Sequence, residues 1–204
     1  MVDVAREAGV SPGLLYTYAA SKEALFHHVL QRELGADGVN RDLPIPSPGP
    51  AETETLARRA LREVATIPSL SAALETDSPP DITVELANIV GEHYDRVHRY
   101  RRFIAVAERS ALDWPDMAQR FYTRGRQPFV HRLGSYVAAR VASGHLPPVP
   151  DPDVAARFVI EAVAWFAMHR YADHDGARMD DVVARTTVVQ LATAALIGSQ
   201  PEKR

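Results

Sequence analysis

Residues 4–26 read VAREAGVSPGLLYTYAASKEALF, and this stretch decides how the rest of the chain is read. Val4, Ala5 and Ala8 fall on one side of a first short helix, and Leu15 and Tyr18 on one side of a second. Two short helices packed at a steep angle require that arrangement. Ala5 has to be small where they cross. Gly9 supplies the left-handed conformation of a tight turn, and Val10 plugs the corner. Ser11 caps the second helix through its hydroxyl, with Pro12 at the first helical position. Any αα-turn in a helical bundle has the same local needs, so the turn alone assigns no function.

The outward face of the second helix is more informative. Gly13, Leu14, Tyr16 and Thr17 are poor choices for a solvated surface and useful ones against DNA. The phenols of Tyr16 and Tyr18 donate to phosphate, Thr17 reaches a base edge or a thymine methyl, and Gly13 permits close backbone approach. Lys22 lies in the first turn of a third helix, where it opposes the helix dipole at a cost of roughly 0.3–1 kcal/mol. An anionic partner offsets that cost.

Working outward, helical periodicity continues almost throughout, without alternating β-branched strand signatures, so the expected class is all-α. The expected helices are 2–8, 12–18, 22–34, 51–67, 82–97, 101–112, 115–142, 152–171 and 180–197, with Pro128 kinking or dividing the seventh. Pro/Gly-rich breaks lie at 35–50, 77–81 and 144–153. Asp151-Pro152-Asp153 marks a helix start with a capping carboxylate, a proline and an acid at the positive end of the dipole. Residues 113–116, DWPD, use a proline in the same way. No internal repeat is visible.

Bulk properties exclude several classes. With 204 residues, 46% hydrophobic and 24% charged, the chain has enough sequence for a sizeable core. A net charge of −3 argues against a globally basic nucleic-acid binder but permits a local basic face. Cysteine is absent, which removes disulfides, thiolate nucleophiles and cysteine-based zinc sites. No uncharged apolar run reaches the roughly 18 residues a bilayer span needs, and Asp3, Arg6 and Glu7 interrupt any signal peptide, so the expected location is the cytoplasm. The only lysines are Lys22 and Lys203; an Arg- and Ala-rich chain points to a GC-rich bacterial genome. A phosphate-binding glycine loop, a nucleophile motif and an H-E-x-x-H pattern are all missing, so no enzyme and no cofactor is expected.

Residues 4–26 resemble the DNA-binding region of the tetracycline-repressor (TetR) family of bacterial transcriptional regulators, over its second to fourth helices. Ala5, Ala8, Gly9, Val10, Ser11, Leu15, Tyr16, Tyr18, Lys22 and Leu25 match the family pattern. Leu14 stands where the family often has Thr, and Ala19 where it usually has Phe, which removes a core aromatic. The resemblance implies that 12–18 is a recognition helix for the major groove, contacting double-stranded DNA through Ser11, Pro12, Gly13, Leu14, Tyr16, Thr17, Tyr18 and Lys22. A two-fold dimer would read a pseudo-palindromic operator.

In that family an amphipathic helix precedes this stretch and packs on the face of Leu25, Phe26, Val29 and Leu30. Burying about five large apolar side chains is worth of order 7–15 kcal/mol, as much as the roughly 5–15 kcal/mol that stabilises a whole domain. A chain beginning at Met1 is therefore expected to have an apolar-exposed head and weak DNA affinity, and the native start is expected upstream. Residues 1–35 also carry four acids, Asp3, Glu7, Glu23 and Glu33, against three bases, Arg6, Lys22 and Arg32. The alternative is a helical ligand-binding or interaction protein that has lost DNA binding.

The resulting domain reading is a partial helix-turn-helix at 1–35, a linker at 36–50 and a ligand-binding and dimerisation domain at 51–204. The last two helices are apolar on more than one face: Ala155, Phe158, Val159, Ala162, Val163 and Phe166 with Trp165 off that side, then Val182, Val183, Val189 and Leu196 with Val188 and Leu191 elsewhere. Such helices form either a central core or a homodimer interface, and the resemblance implies the second. It also implies a small-molecule effector, for which Tyr94, Phe103, Phe121, Tyr122, Trp165 and His169 are the candidate pocket, with His93, His98 or His169 to orient it. His169, Asp173, His174 and Asp175 have a metal-like spacing but read better as a solvated helix end, so no metal is expected. Glu161 among apolar neighbours needs a partner, and Arg157 is the nearest.

Overall fold

The computed structural model describes residues 1–35, 42–49, 51–113 and 119–198. Among them the chain is all-α, without a strand. The helices are α1 (Val2–Glu7), α2 (Pro12–Tyr18), α3 (Lys22–Glu33), α4 (Glu52–Ala65), α5 (Pro68–Leu74), α6 (Ile82–Asp113), α7 (Gln127–Ala142), α8 (Pro152–Ala167) and α9 (Asp181–Ile197). A π-helical segment, Gln119–Arg126, precedes α7, and 3-10 turns at His169–Ala172 and Gly176–Arg178 join α8 to α9. No described helix is long and apolar enough to cross a membrane. The chain forms two compact units, residues 1–61 and 62–204, with the division inside α4.

In the first unit α1 packs on α2. Gly9 takes a φ of +68° in the turn between them, the left-handed conformation that glycine adopts without cost. In the expected linker, the described residues 42–49 are anchored. Ile45 N–H donates to the Tyr18 carbonyl at 2.8 Å, Ala20 N–H donates to the Ile45 carbonyl at 2.9 Å, and the Ser47 hydroxyl donates to Ser21 Oγ at 2.8 Å. Ala19 is thereby buried in a parallel bridge to Ile45. The rest of that linker, 36–41 and Pro50, lies outside the described residues.

The second unit is built around α6. Two helices were expected at 82–97 and 101–112, but one continuous helix runs through both. Its buried stripe continues without a phase break through Leu86, Val90, Val97, Tyr100, Ile104 and Ala107. The charged run His98-Arg99-Tyr100-Arg101-Arg102 lies on the helix rather than interrupting it. α8 packs on α6, α7 and α9, α9 also packs on α6, and α5 lies against α6 and α7. Side chains of α7 reach α6 through Phe129 on His93 and Arg140 on Glu85.

Helix α5 has no counterpart among the expected helices. It is short, begins with Pro68 and has no side-chain cap, yet Ile67 and Leu70 at its start are fully buried. Pro128 falls in the first turn of α7, where the π-helical segment gives way to α-helix, so it divides the expected helix as anticipated. The expected start of that helix, within 113–116, lies outside the described residues apart from Asp113. Asp151 Oδ1 caps α8 by accepting from Asp153 N at 2.8 Å and Val154 N at 3.1 Å, and α8 ends at Ala167, with a 3-10 turn over the remainder of the expected 152–171.

Candidate nucleic-acid interface

Helix α2 is set by its two ends. Ser11 Oγ accepts from Leu14 N at 3.2 Å, satisfying one of the donors that a helix start leaves open, and Pro12 occupies the first turn. Ala5 is 1% exposed where α1 packs on α2, so a larger residue there would separate them. At the other end Ser21 Oγ caps α3, accepting from Ala24 N at 3.0 Å. The two helices are thus oriented by a glycine turn, two serine caps and a small residue at the contact.

This leaves α2 exposed on every side but that of Leu15, Tyr18 included, although its spacing placed Tyr18 with Leu15 on the packing side. Tyr16 is 51% and Tyr18 52% exposed, while Ser11, Pro12, Gly13, Leu14, Thr17 and Lys22 are exposed as well. Leu15 turns inward and is half-buried. The Thr17 hydroxyl donates to the Leu14 carbonyl at 2.6 Å, so Thr17 presents acceptor lone pairs and a methyl rather than a free proton. The surface therefore offers two phenolic donors, a cation at Lys22 and apolar atoms of Leu14 and Thr17, a set suited to phosphate on one side and base edges on the other. On α3, Leu25, Phe26 and Val29 are half-buried and Leu30 is buried.

The interior candidates divide among different settings. Tyr94 and Phe103 are core residues, with the Tyr94 hydroxyl donating to the Phe166 carbonyl at 3.2 Å. Phe121 is buried edge-on to Tyr122, their centroids 4.9 Å apart. Tyr122 is exposed and lines an open groove of about 500 Å³ with Arg126, Val130, His131, Val154 and Arg157. Trp165 is partly exposed on α8, and His169 Nε2 lies 4.0 Å from Glu108, whose carboxyl burial holds above the ordinary range. Glu161 pairs with Arg157 at 2.5 Å, as its spacing suggested, and also with Arg126.

The polar run at 169–175 serves the chain locally. Asp173 Oδ1 accepts from Asp175 N at 3.0 Å and Gly176 N at 2.7 Å, and His174 faces Arg178. Among the described residues no group of three or more His, Asp or Glu gathers to hold a metal ion.

Two buried arginines escaped the sequence reading. Arg140 reaches Glu85 and the carbonyls that end α5, whereas Arg170, fully buried, donates to the carbonyls of Phe166, Gly176 and Met179 and pairs with Asp181. Asp181 also accepts from the Tyr171 hydroxyl at 2.8 Å, and burial pushes that phenol up to about 12.

His93 is 5% exposed, and burial pushes its ring down to about 4. Below the ordinary histidine pKa the unfolded chain takes up a proton that the folded chain refuses. This site therefore costs stability as pH falls from about 6.5 towards 4, by about 3 kcal/mol in full. Denaturant unfolding of wild type and His93→Phe at pH 7 and pH 4 checks this: the wild type is expected to lose that much more on acidification, and parallel losses would contradict it.

Two family models match the chain. The model for bacterial regulatory proteins of the tetR family matches residues 1–29. The model for the C-terminal domain of AefR-like transcriptional repressors matches residues 89–193, just over half of the chain. No curated protein and no solved structure matches.

Proposed function

The chain belongs to the tetR family of bacterial regulatory proteins and is a DNA-binding transcriptional regulator; from that premise we propose that it is a repressor, binding its operator as a homodimer and released by a small-molecule effector. The observation that carries this reading is the exposed face of α2, with Tyr16, Thr17 and Tyr18 outward on a helix fixed by the Gly9 turn and the Ser11 cap. The name of the second matching model, a transcriptional repressor, supports the direction of regulation. In this reading residues 1–35 contact DNA, 36–50 connect, and 51–204 bind the effector and dimerise. Ser11, Pro12, Gly13, Leu14, Tyr16, Thr17, Tyr18 and Lys22 form the DNA surface, without a catalytic role for any of them. Effector binding then lowers operator affinity by as much as it prefers the dimer geometry that grips DNA poorly.

The dimer proposal rests on α8 and α9. A single chain leaves Val154, Phe158 and Trp165 outward along α8, with spacings of four and seven residues that keep them on one stripe, and Val182, Val183 and Leu191 outward on α9. Phe158 is 57% and Leu191 63% exposed, too much apolar surface on neighbouring helices to leave in water. Phe158→Glu combined with Leu191→Glu is expected to halve the mass seen in sedimentation while keeping the helical signal. An unchanged dimer mass would place the interface elsewhere.

The regulator reading as a whole is tested by a gel shift with the DNA upstream of the protein's own gene. Binding that weakens steeply with salt supports it. A chain that leaves this DNA free even at low salt is instead a helical ligand-binding or interaction protein.

A further inference from the structure

Three histidines were candidates to orient an effector, and the structure distinguishes them. His98 Nδ1 lies 3.1 Å from the Tyr171 hydroxyl, and His169 faces Glu108. His93 is buried on α6 with neither Nδ1 nor Nε2 hydrogen-bonded. Native interiors rarely leave such a group unpaired, because its desolvation is uncompensated. One side of its ring meets Phe129 of α7, the centroids 4.7 Å apart and the planes at 39°. Its nitrogens lie in the ring plane, so the aromatic contact does not satisfy them.

We infer that His93 is the polar anchor for an uncharged, mainly apolar effector that carries a hydroxyl or carbonyl group and is held beside Phe129. The inference rests on the effector-responsive reading above. A neutral imidazole offers one N–H donor and one nitrogen acceptor, which a hydroxyl meets on either side and a carbonyl meets at the N–H. Burial keeps this ring neutral without a contribution from a charged neighbour among the described residues. An ionised effector would find no countercharge at the anchor and would lose its own hydration. Buried Ile89, Val90 and Val97 share the face of His93 on α6, and buried Leu133 that of Phe129 on α7, by their spacing of three or four residues, so the surroundings of the anchor are apolar. Sites of this composition, mostly apolar with few placed polar groups, are typical for small molecules.

The test uses the full chain and a matched pair of probes, 2-naphthol and naphthalene, which differ by one hydroxyl. Wild type is expected to bind 2-naphthol about tenfold more tightly than naphthalene, the value of one recovered buried hydrogen bond. His93→Phe is expected to abolish that preference, and His93→Gln, which keeps a donor and an acceptor, to retain part of it. In wild type labelled with 15N-histidine, 2-naphthol is expected to move the His93 ring resonances, a readout that needs no variant to fold. Equal or absent binding of the two probes, a preference that survives in His93→Phe, or unmoved His93 resonances at saturation would overturn the inference; the last is the result expected if buried water alone meets the ring. An operator gel shift on the same preparation separates the two levels. Operator binding with failed discrimination overturns only the His93 anchor, whereas failed operator binding overturns the regulator reading itself.

Discussion

Replacing Arg140 by alanine is expected to destabilise the 62–204 unit by about 3–5 kcal/mol, the usual cost of breaking a buried ion pair from one side. Arg140 is 2% exposed. Its Nε and Nη2 hold the Glu85 carboxylate in a fork, at 2.8 Å and 3.1 Å, while Nη2 and Nη1 donate to the carbonyls of Ala73 at 2.6 Å and Thr76 at 2.8 Å. Ala73 lies in the last turn of α5 and Thr76 just beyond its end, where helix carbonyls are short of intrahelical partners, and Glu85 lies in the first turn of α6. One guanidinium therefore closes the α5 terminus, fixes the α6 start and joins both to α7. Tyr136 completes the group by donating to Glu85 Oε1 at 2.9 Å, and its phenol is held well above the ordinary range by burial and by that bond. Thermal unfolding should show a drop of roughly 10 °C for a chain of this length. Arg140→Met with Glu85→Met should lose less than Arg140→Ala, because no charge is then stranded. A loss below about 1 kcal/mol for Arg140→Ala would show that the fork contributes little.

Tyr16→Ala with Tyr18→Ala is expected to weaken operator binding by about 100-fold, taking about 1.5 kcal/mol for each hydroxyl that donates to a charged phosphate. Both side chains are more than half exposed, so the variant should keep its helical signal and melting temperature. The effect has a signature. Tyrosine is neutral and releases no counterion, so the dependence of affinity on salt should keep its slope in the double variant. Lys22→Ala should instead lower that slope by about one. Equal operator affinity for the double variant and wild type would mean that α2 does not present these phenols to DNA.

The parts of this protein that are legible in its sequence are those fixed by neighbours in the chain. In AGVSP, Gly9 makes the turn, Ser11 caps and Pro12 starts the helix, and each requirement is met within a few residues. Asp151 could be read as a cap for the same reason. Continuity of α6 was hidden because the charged run at 98–102 resembles a break, and only the buried phase of Tyr100 and Ile104 shows that the helix continues. α5 was hidden because small residues and two serines carry no clear periodicity, and its order depends on Arg140, far along the chain. Arg140 and Arg170 look like ordinary surface arginines in sequence; their burial depends on carbonyls that the fold brings to them. The aromatic residues proposed for an effector take settings that spacing does not distinguish, Tyr94 and Phe103 in the core and Tyr122 at a surface groove.

Everything functional depends on α2 facing nucleic acid. The most direct measurement replaces Tyr16 with a photo-crosslinking amino acid and irradiates the full chain with its upstream DNA. The account predicts a covalent protein–DNA adduct from position 16 and none from the same amino acid at position 158 on α8. DNA retained by the protein without an adduct at position 16 would contradict it.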